Sequence, residues 1–374
     1  MIRPTTRLRD RSWRMWAALA AALALVGGLG LAWSVRDPWP ARVVIRPRDG
    51  GWAQGFTRDG REYRTSGERG VAYWDAATGR EVKIGPLPVV WRPSWTDDGR
   101  RFAGVVVVDG TYGQAVAWGD AATDEVRGRF SVPGRNAIRP RLDPDGRTLR
   151  AVLLVTNGHV RELAAWDLAT GAESRRAVGG PPHLRGTDRE GPIGYSADGR
   201  TWAYIDPTRG VLLWDAEADR PLGPGLPTPA AHPGRADLAA FSPDGRSLAL
   251  ARDDGQIELW DVPAGRLLRV VAAHPAGYGP IEVGFSPDGT LLASAAHEPG
   301  AGLLFLIRDQ YNRFSPAGWQ VPDRREVAVL NVATGQIRAR SAGSIHPQFS
   351  PDGRTLATHE ADGSFSLRDI PARP

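Results

Sequence analysis

Along most of this chain, short runs of alternating apolar and polar residues are separated by turn residues. RSLALAR from Arg246 and TLLASAA from Thr290 are two such runs, and period-two alternation marks a strand with one buried face. Each run follows a turn that recurs seven times: FTRDGR (56–61), WTDDGR (95–100), LDPDGR (142–147), YSADGR (195–200), FSPDGR (241–246), FSPDGT (285–290) and FSPDGR (349–354). In Ser-Pro-Asp-Gly, proline presets φ, aspartate bonds its own backbone and glycine accepts the left-handed conformation, so the motif is a hairpin connection rather than a site. A second turn such as Asp254-Gly255 returns the chain into QIELWD. A third, often Thr-Gly as at Thr78-Gly79, Thr170-Gly171 and Thr334-Gly335, starts an outer strand such as RLLRVVAA.

Four strands per unit and seven units predict an all-β, seven-bladed β-propeller. The glycines of successive copies are separated by 39 to 53 residues, with one interval of 64, close to a blade period of about 40–45. The third strands end in an acid-bearing pair, Trp74-Asp75, Trp118-Gly119-Asp120, Trp166-Asp167, Trp214-Asp215, Trp260-Asp261 and Arg368-Asp369, with Leu330-Asn331 in the sixth unit. These tryptophans are expected between blades. The last unit stops at its third strand (364–370), so strand 41–47 is expected to close the ring there and remove two exposed sheet edges.

With these motifs on view, the chain resembles the WD-repeat propeller family, most closely over 241–275 and in outline over 41–374. The resemblance implies a protein-binding scaffold. It also implies a bonded set of His, Ser, Asp and Trp in each blade, from which this chain departs: His-Pro stands at His232, His274 and His346 in place of Gly-His, and the fifth blade offers only His232, Asp254 and Trp260.

The N-terminal region reads differently. Met15 to Val35 is 21 residues without a charge, preceded by Arg3, Arg7, Arg9, Arg11 and Arg14 and bracketed by Trp13, Trp16, Trp33 and Trp39. That is long enough to span a bilayer, and the arginines place the N-terminus inside. The expected organisation is a cytoplasmic basic segment 1–14, a transmembrane signal-anchor helix 15–35, a linker 36–40 and an extracytoplasmic propeller 41–374, in an inner (cytoplasmic) membrane. A signal peptide cleaved near Gly30-Leu31-Ala32 and a buried helix are the alternatives.

Charge changes the partner class. The net +5 resides in residues 1–36 and the remainder balances, so clustered cations for nucleic acid are missing and nucleic acid is excluded as a leading partner. Lys83 is the single lysine among 47 basic residues, a bias of GC-rich, bacterial-type coding. The absence of cysteine removes disulfides, thiolate chemistry, Cys-ligated zinc and a lipoprotein anchor.

No catalytic motif is present. Gly284-Phe-Ser-Pro-Asp and Gly194-Tyr-Ser-Ala-Asp lack the final glycine of a nucleophile elbow, and His297-Glu298 and His359-Glu360 lack the second histidine of a zinc hydrolase. No cofactor or metal is expected. One segment breaks the repeat: the insertion 300–324 in blade six concentrates Phe305, Arg308, Tyr311, Arg313, Phe314 and Trp319, residue types that dominate interfaces. It is expected to open on the same face as the His-Pro segments and 181–192, and to point away from the membrane. Arg308, Tyr311, Arg313, Phe314 and Trp319 are the candidate binding residues. The leading expectation is a membrane-anchored, non-catalytic propeller taking a protein or peptide partner. The alternatives are a propeller hydrolase, lactonase or quinone-dependent dehydrogenase acting at the central channel, or a carbohydrate or cell-wall binder.

Overall fold

The computed structural model describes residues 39–298 and 325–372, apart from 49–50, 68–69, 86–89, 97–99, 109–110, 122, 124, 144–145, 156–160, 183–191, 207–208, 228–235 and 361. The chain divides into two compact units, Met1–Pro40 and Ala41–Pro374. The expected basic segment and membrane span lie outside the described residues. Among the described residues no helix is long and apolar enough to cross a membrane.

The second unit is all-β, with seven antiparallel four-stranded sheets among the described residues. Strand β1 (Val43–Ile45) precedes blade one, which is β2 (Trp52–Phe56), β3 (Glu62–Gly67), β4 (Gly70–Asp75) and β5 (Glu81–Gly85). Blade two is β6 (Val90–Trp95), β7 (Arg101–Val108), β8 (Thr111–Asp120) and β9 (Glu125–Ser131); blade three is β10 (Arg135–Leu142), β11 (Thr148–Val155), β12 (Arg161–Asp167) and β13 (Glu173–Val178). Blade four is β14 (Gly194–Tyr195), β15 (Thr201–Asp206), β16 (Gly210–Asp215) and β17 (Arg220–Pro221); blade five is β18 (Ala236–Phe241), β19 (Ser247–Arg252), β20 (Gln256–Asp261) and β21 (Arg266–Ala272). Blade six is β22 (Gly279–Phe285), β23 (Leu291–His297), β24 (Arg325–Asn331) and β25 (Ile337–Ala342). Blade seven takes β26 (Ser344–Phe349), β27 (Thr355–Glu360) and β28 (Phe365–Asp369) from the end of the chain and β1 from its beginning. There Val43 pairs with Leu367, Val44 with Ser366 and Ile45 with Phe365. Arg42 and Asp369 extend the contact by an ion pair of 2.9 Å.

The recurring turns are closed hydrogen-bonded units. In blade five the Ser242 hydroxyl donates to Asp244 Oδ1 (2.6 Å), the Arg246 amide donates to the same oxygen (3.0 Å), and the Ser247 amide donates back to Ser242 Oγ (2.9 Å). Gly245 sits at φ +70°, where a side chain would be strained. The same serine–aspartate arrangement recurs at Ser196–Asp198, Ser286–Asp288 and Ser350–Asp352. The residue ending a third strand closes the following turn in the same manner, since Asp75, Asp167 and Asn331 each accept the amide and hydroxyl of the threonine three residues on.

Turns between first and second strands meet their counterparts in the next blade. Arg101 donates to the Gly146 carbonyl, and Arg141 to that of Ala197. They therefore share one end of the ring, the turn face. The other end, the loop face, carries the links between blades and between second and third strands.

Between blades lie the cores. Trp166, Trp202 and Trp260 are fully buried, and Phe130 of blade two stacks on Trp166 of blade three at 5.4 Å. Val152 and Leu163 of blade three pack with Trp202 and Trp214 of blade four. Burial of such aromatic faces removes about 150–250 Å² each from water and locks neighbouring blades together.

Candidate functional site

At the loop end of blades five, six and seven the buried polar groups concentrate. The link from β21 to β22 carries His274, whose side chain is only 3% exposed. Its Nδ1 donates to Glu326 Oε1 at 2.7 Å and its Nε2 lies 2.9 Å from Ser294 Oγ. Glu326 also accepts from Arg340 Nη1 at 2.9 Å, and Arg340 donates further to the Ala273 carbonyl. The His274 amide bonds the Gly255 carbonyl of blade five. A Cβ on Gly255 would stand 2.6 Å from the Pro275 oxygen, so only glycine admits this approach. One histidine thereby ties blade five, the inter-blade link and blade six together.

Serine, histidine and glutamate in this order have the connectivity of a hydrolase triad. Burial decides against that reading: Ser294 has 0% exposure, so no substrate reaches its Oγ, and Arg340 already compensates the Glu326 charge. The group is a structural clamp.

The neighbouring blades solve the same problem with other residues. In blade five Arg252 and Glu258 form a buried ion pair at 2.9 Å, and the Trp260 indole donates to the second Glu258 oxygen at 2.9 Å. Trp260 thus bonds Glu258, two residues away on its own strand, and His232 lies outside the described residues. In blade seven Arg368 occupies the tryptophan position and donates to Thr358 Oγ1 (2.6 Å) and Glu360 Oε1 (2.8 Å), while Ser344 donates to Glu360 Oε2 (2.8 Å).

Towards the centre of the ring the first strands β22 and β26 are half-buried along nearly their whole length. A register irregularity between Ile345 and Gln348 and a positive φ of +53° at His346 turn that ring towards blade six, where Nδ1 meets Glu282 Oε2 at 2.9 Å. Behind it His359 stacks between His346 and Phe365. Burial holds the His359 pKa below its usual value, helped by positive charge at His346 and Arg325 and opposed by Glu360 and Asp362. Among the described residues no group of histidines and acids is arranged to hold a metal ion.

The insertion springs from this clamped end. His297 and Arg325, which flank it, are direct register partners on β23 and β24, and Arg325 adjoins Glu326 of the clamp. The candidate residues Arg308, Tyr311, Arg313, Phe314 and Trp319 lie outside the described residues. The described structure instead supplies their platform. His274 and Ser294 were each visible in the sequence, but nothing local joins residues 20 positions apart.

Comparison with known proteins agrees with the architecture. Residues 230–261 match the WD domain, G-beta repeat family. The chain is 27% identical over 175 residues to a Protein LST8 homolog of Drosophila melanogaster, covering 47% of this chain and 50% of that protein. It is 27% identical over 151 residues to the Nuclear distribution protein PAC1 of Arthroderma benhamiae (40% and 32% covered). It is 26% identical over 162 residues to the Meiotic recombination protein rec14 of Schizosaccharomyces pombe (43% and 44% covered). The chain thus spans half the length of these relatives or less, and all three come from eukaryotes. Among solved structures, the β-propeller domain of Cps50 (Swd1) from Myceliophteria thermophila superimposes with a TM-score of 0.58 at 16% identity, over 89% of this chain and 100% of that one. The second unit of this chain is a seven-bladed β-propeller containing a WD repeat.

Proposed function

We propose that this chain is a non-catalytic interaction propeller whose loop face takes a protein or peptide partner, with the insertion at blade six as the principal contact. The observation that carries the reading is the rooting of the insertion. It leaves and rejoins the sheet at two directly paired residues, beside a clamp in which a buried histidine, a partly buried glutamate and an arginine satisfy one another. Aromatic and arginine side chains on a loop held by a rigid scaffold are a common way to present a binding surface. In this reading Tyr311, Arg313, Phe314 and Trp319, with Arg308, make the contact.

The test is affinity capture with the full chain and with a variant carrying alanine at Tyr311, Arg313, Phe314 and Trp319. The expected result is loss of the captured partner with an unchanged melting transition; a partner retained by the variant overturns the assignment. The reading also keeps residues 15–35 as a single-pass anchor with the N-terminus inside and the propeller extracytoplasmic, and a bacterial-type source. It rests for these on the uncharged stretch, the arginines before it and the arginine-for-lysine bias. Release of the full chain from membranes by alkaline carbonate would overturn the anchor.

A further inference from the structure

The exposed apolar side chains of the ring are unevenly placed. Among the described residues the large ones left in solvent are Val44, Trp52, Val82, Ile84, Leu222 and Leu268. Val44, Val82 and Ile84 stand on the outermost strands of two adjoining blades, β1 of blade seven and β5 of blade one. A glycine brings these strands together. A Cβ on Gly79, in the turn that leads into β5, would lie 2.7 Å from Val43 Cγ1 and 3.4 Å from the Val44 carbonyl oxygen, so only glycine lets this turn rest on β1.

Strand β1 has two unlike sides. Val43 and Ile45 enter the core shared by blades seven and one, whereas Arg42, Val44 and Arg46 are exposed. On β5 every residue from Glu81 to Ile84 is exposed, Val82 by 53% and Ile84 by 39%. Ile84 pairs with Ala72, and Val82 falls in the register irregularity opposite Tyr73 and Trp74. The outer strand of blade three is as exposed, but it offers Glu173, Arg175 and Arg176 to water, the usual protection of a sheet edge. The charges around β1 and β5 answer one another, Arg42 with Asp369 at 2.9 Å and Arg80 and Lys83 beside Asp75 and Glu81, so charge selects neither an acidic nor a basic occupant. The tether selects one. Only residues 36–40 separate the uncharged stretch Met15–Val35 from Ala41, just before β1, a reach of at most about 20 Å. A surface held this close to an embedded segment meets the bilayer as an intramolecular contact, at high effective concentration, so a small aliphatic patch suffices.

We propose that the rim formed by β1 and β5 is a lipid-contact surface, on which Val44, Val82 and Ile84 enter the headgroup region of a bilayer. The stems of Arg46 and Arg80 lie along it with their charged ends in water. The inference rests on the anchor reading above and adds to it a separate contact of the propeller itself with the membrane. Because the attraction is aliphatic, it is expected to be as strong on zwitterionic phosphatidylcholine as on anionic lipid and to change little with salt.

The chain has no cysteine, so a single introduced cysteine reports one position. The full chain is reconstituted into phosphatidylcholine vesicles with an environment-sensitive fluorophore on Leu25→Cys, Val82→Cys, Ile84→Cys or Leu268→Cys, and quenching by a nitroxide-bearing lipid is measured. Leu25 lies in the uncharged stretch, and Leu268, 42% exposed on β21 of blade five, is the aliphatic control away from the tether. Strong quenching is expected at Leu25, and quenching roughly threefold above that of Leu268 at Val82 and Ile84. Adding Ile84→Asp to the Val82 probe is expected to reduce its quenching to the Leu268 level with an unchanged melting transition, and Ile84→Ser replaces it if the aspartate unfolds the chain. Quenching at Leu25 with Val82 and Ile84 no different from Leu268 overturns the rim contact and leaves the anchor standing. No quenching at Leu25 overturns both. Quenching of the Val82 probe that survives the Ile84 substitution overturns the aliphatic contact.

Discussion

The two ends of the ring are built on opposite principles. On the turn face, blade after blade repeats one arrangement in which serine, aspartate and glycine satisfy each other within six residues. On the loop face, blades five, six and seven each use a different buried set: Arg252–Glu258–Trp260, Ser294–His274–Glu326–Arg340, and Thr358–Glu360–Arg368–Ser344. The contrast separates what closes a blade from what individualises it. A local turn is redundant, and its aspartate, as at Asp244, stands in solvent. A buried network has no substitute if one member is lost, because the groups left behind are out of reach of water.

The comparison is broken most severely by Glu258→Ala, which strands the Arg252 charge in the core. The expected cost is about 3–5 kcal/mol in chemical denaturation. If the cost matched that of a turn substitution, the two faces would be equivalent. Ser294→Ala is expected to cost about 1–3 kcal/mol by leaving one ring nitrogen of His274 without its partner. Asp244→Ala on the turn face is expected to cost about 1 kcal/mol, since it removes exposed hydrogen bonds from one turn among several.

The smallest effects are in pH dependence, and they too separate the faces. The Ser242 hydroxyl and the Arg246 amide hold the Asp244 carboxyl below its usual range; Asp352 is lowered by the Ser350 hydroxyl and the Arg354 amide, against some burial. A lowered carboxyl pKa contributes stability that is fully present above the unfolded value near 3.8 and disappears as pH falls through the folded value. Asp244→Asn is therefore expected to lower the melting temperature slightly and by a constant amount around neutral pH, and to flatten the acid limb of the profile below about pH 4. On the loop face, His359 titrates below its ordinary value near 6.5, so its contribution is complete above that value and is lost on acidification below it. His359→Phe is expected to flatten the profile between neutral pH and about pH 5; an unchanged slope would remove His359 as its source.

The same division governs how much could be read from the sequence. Turns were legible because proline, aspartate and glycine act on their own backbone, and Trp-Asp pairs because their aspartates cap the next turn. The clamp was not, since His274 and Glu326 meet across 52 residues. Glu258 was legible in principle: two residues before Trp260 on a strand, it shares the tryptophan's face. Blade four adds a two-residue outer strand β17 and Asp219 standing in the left-handed conformation where other blades place glycine. Neither follows from local preference. For the insertion, the sequence alone still carries the assignment of its aromatic and arginine residues.

The closing strand also sets a timetable for the nascent chain. Arg42 and Asp369, which meet across the closing pair, are 327 residues apart, so a ribosome adding about 5–20 residues per second makes the second partner roughly 16–65 s after the first. Throughout that interval Val43 and Ile45, buried in the finished ring, have no sheet to join, while blades one to six acquire all their own strands in order. Ring closure is then the last event in the propeller and waits on the synthesis of β28. A chain halted between residues 342 and 365 would hold six complete blades and two open edges.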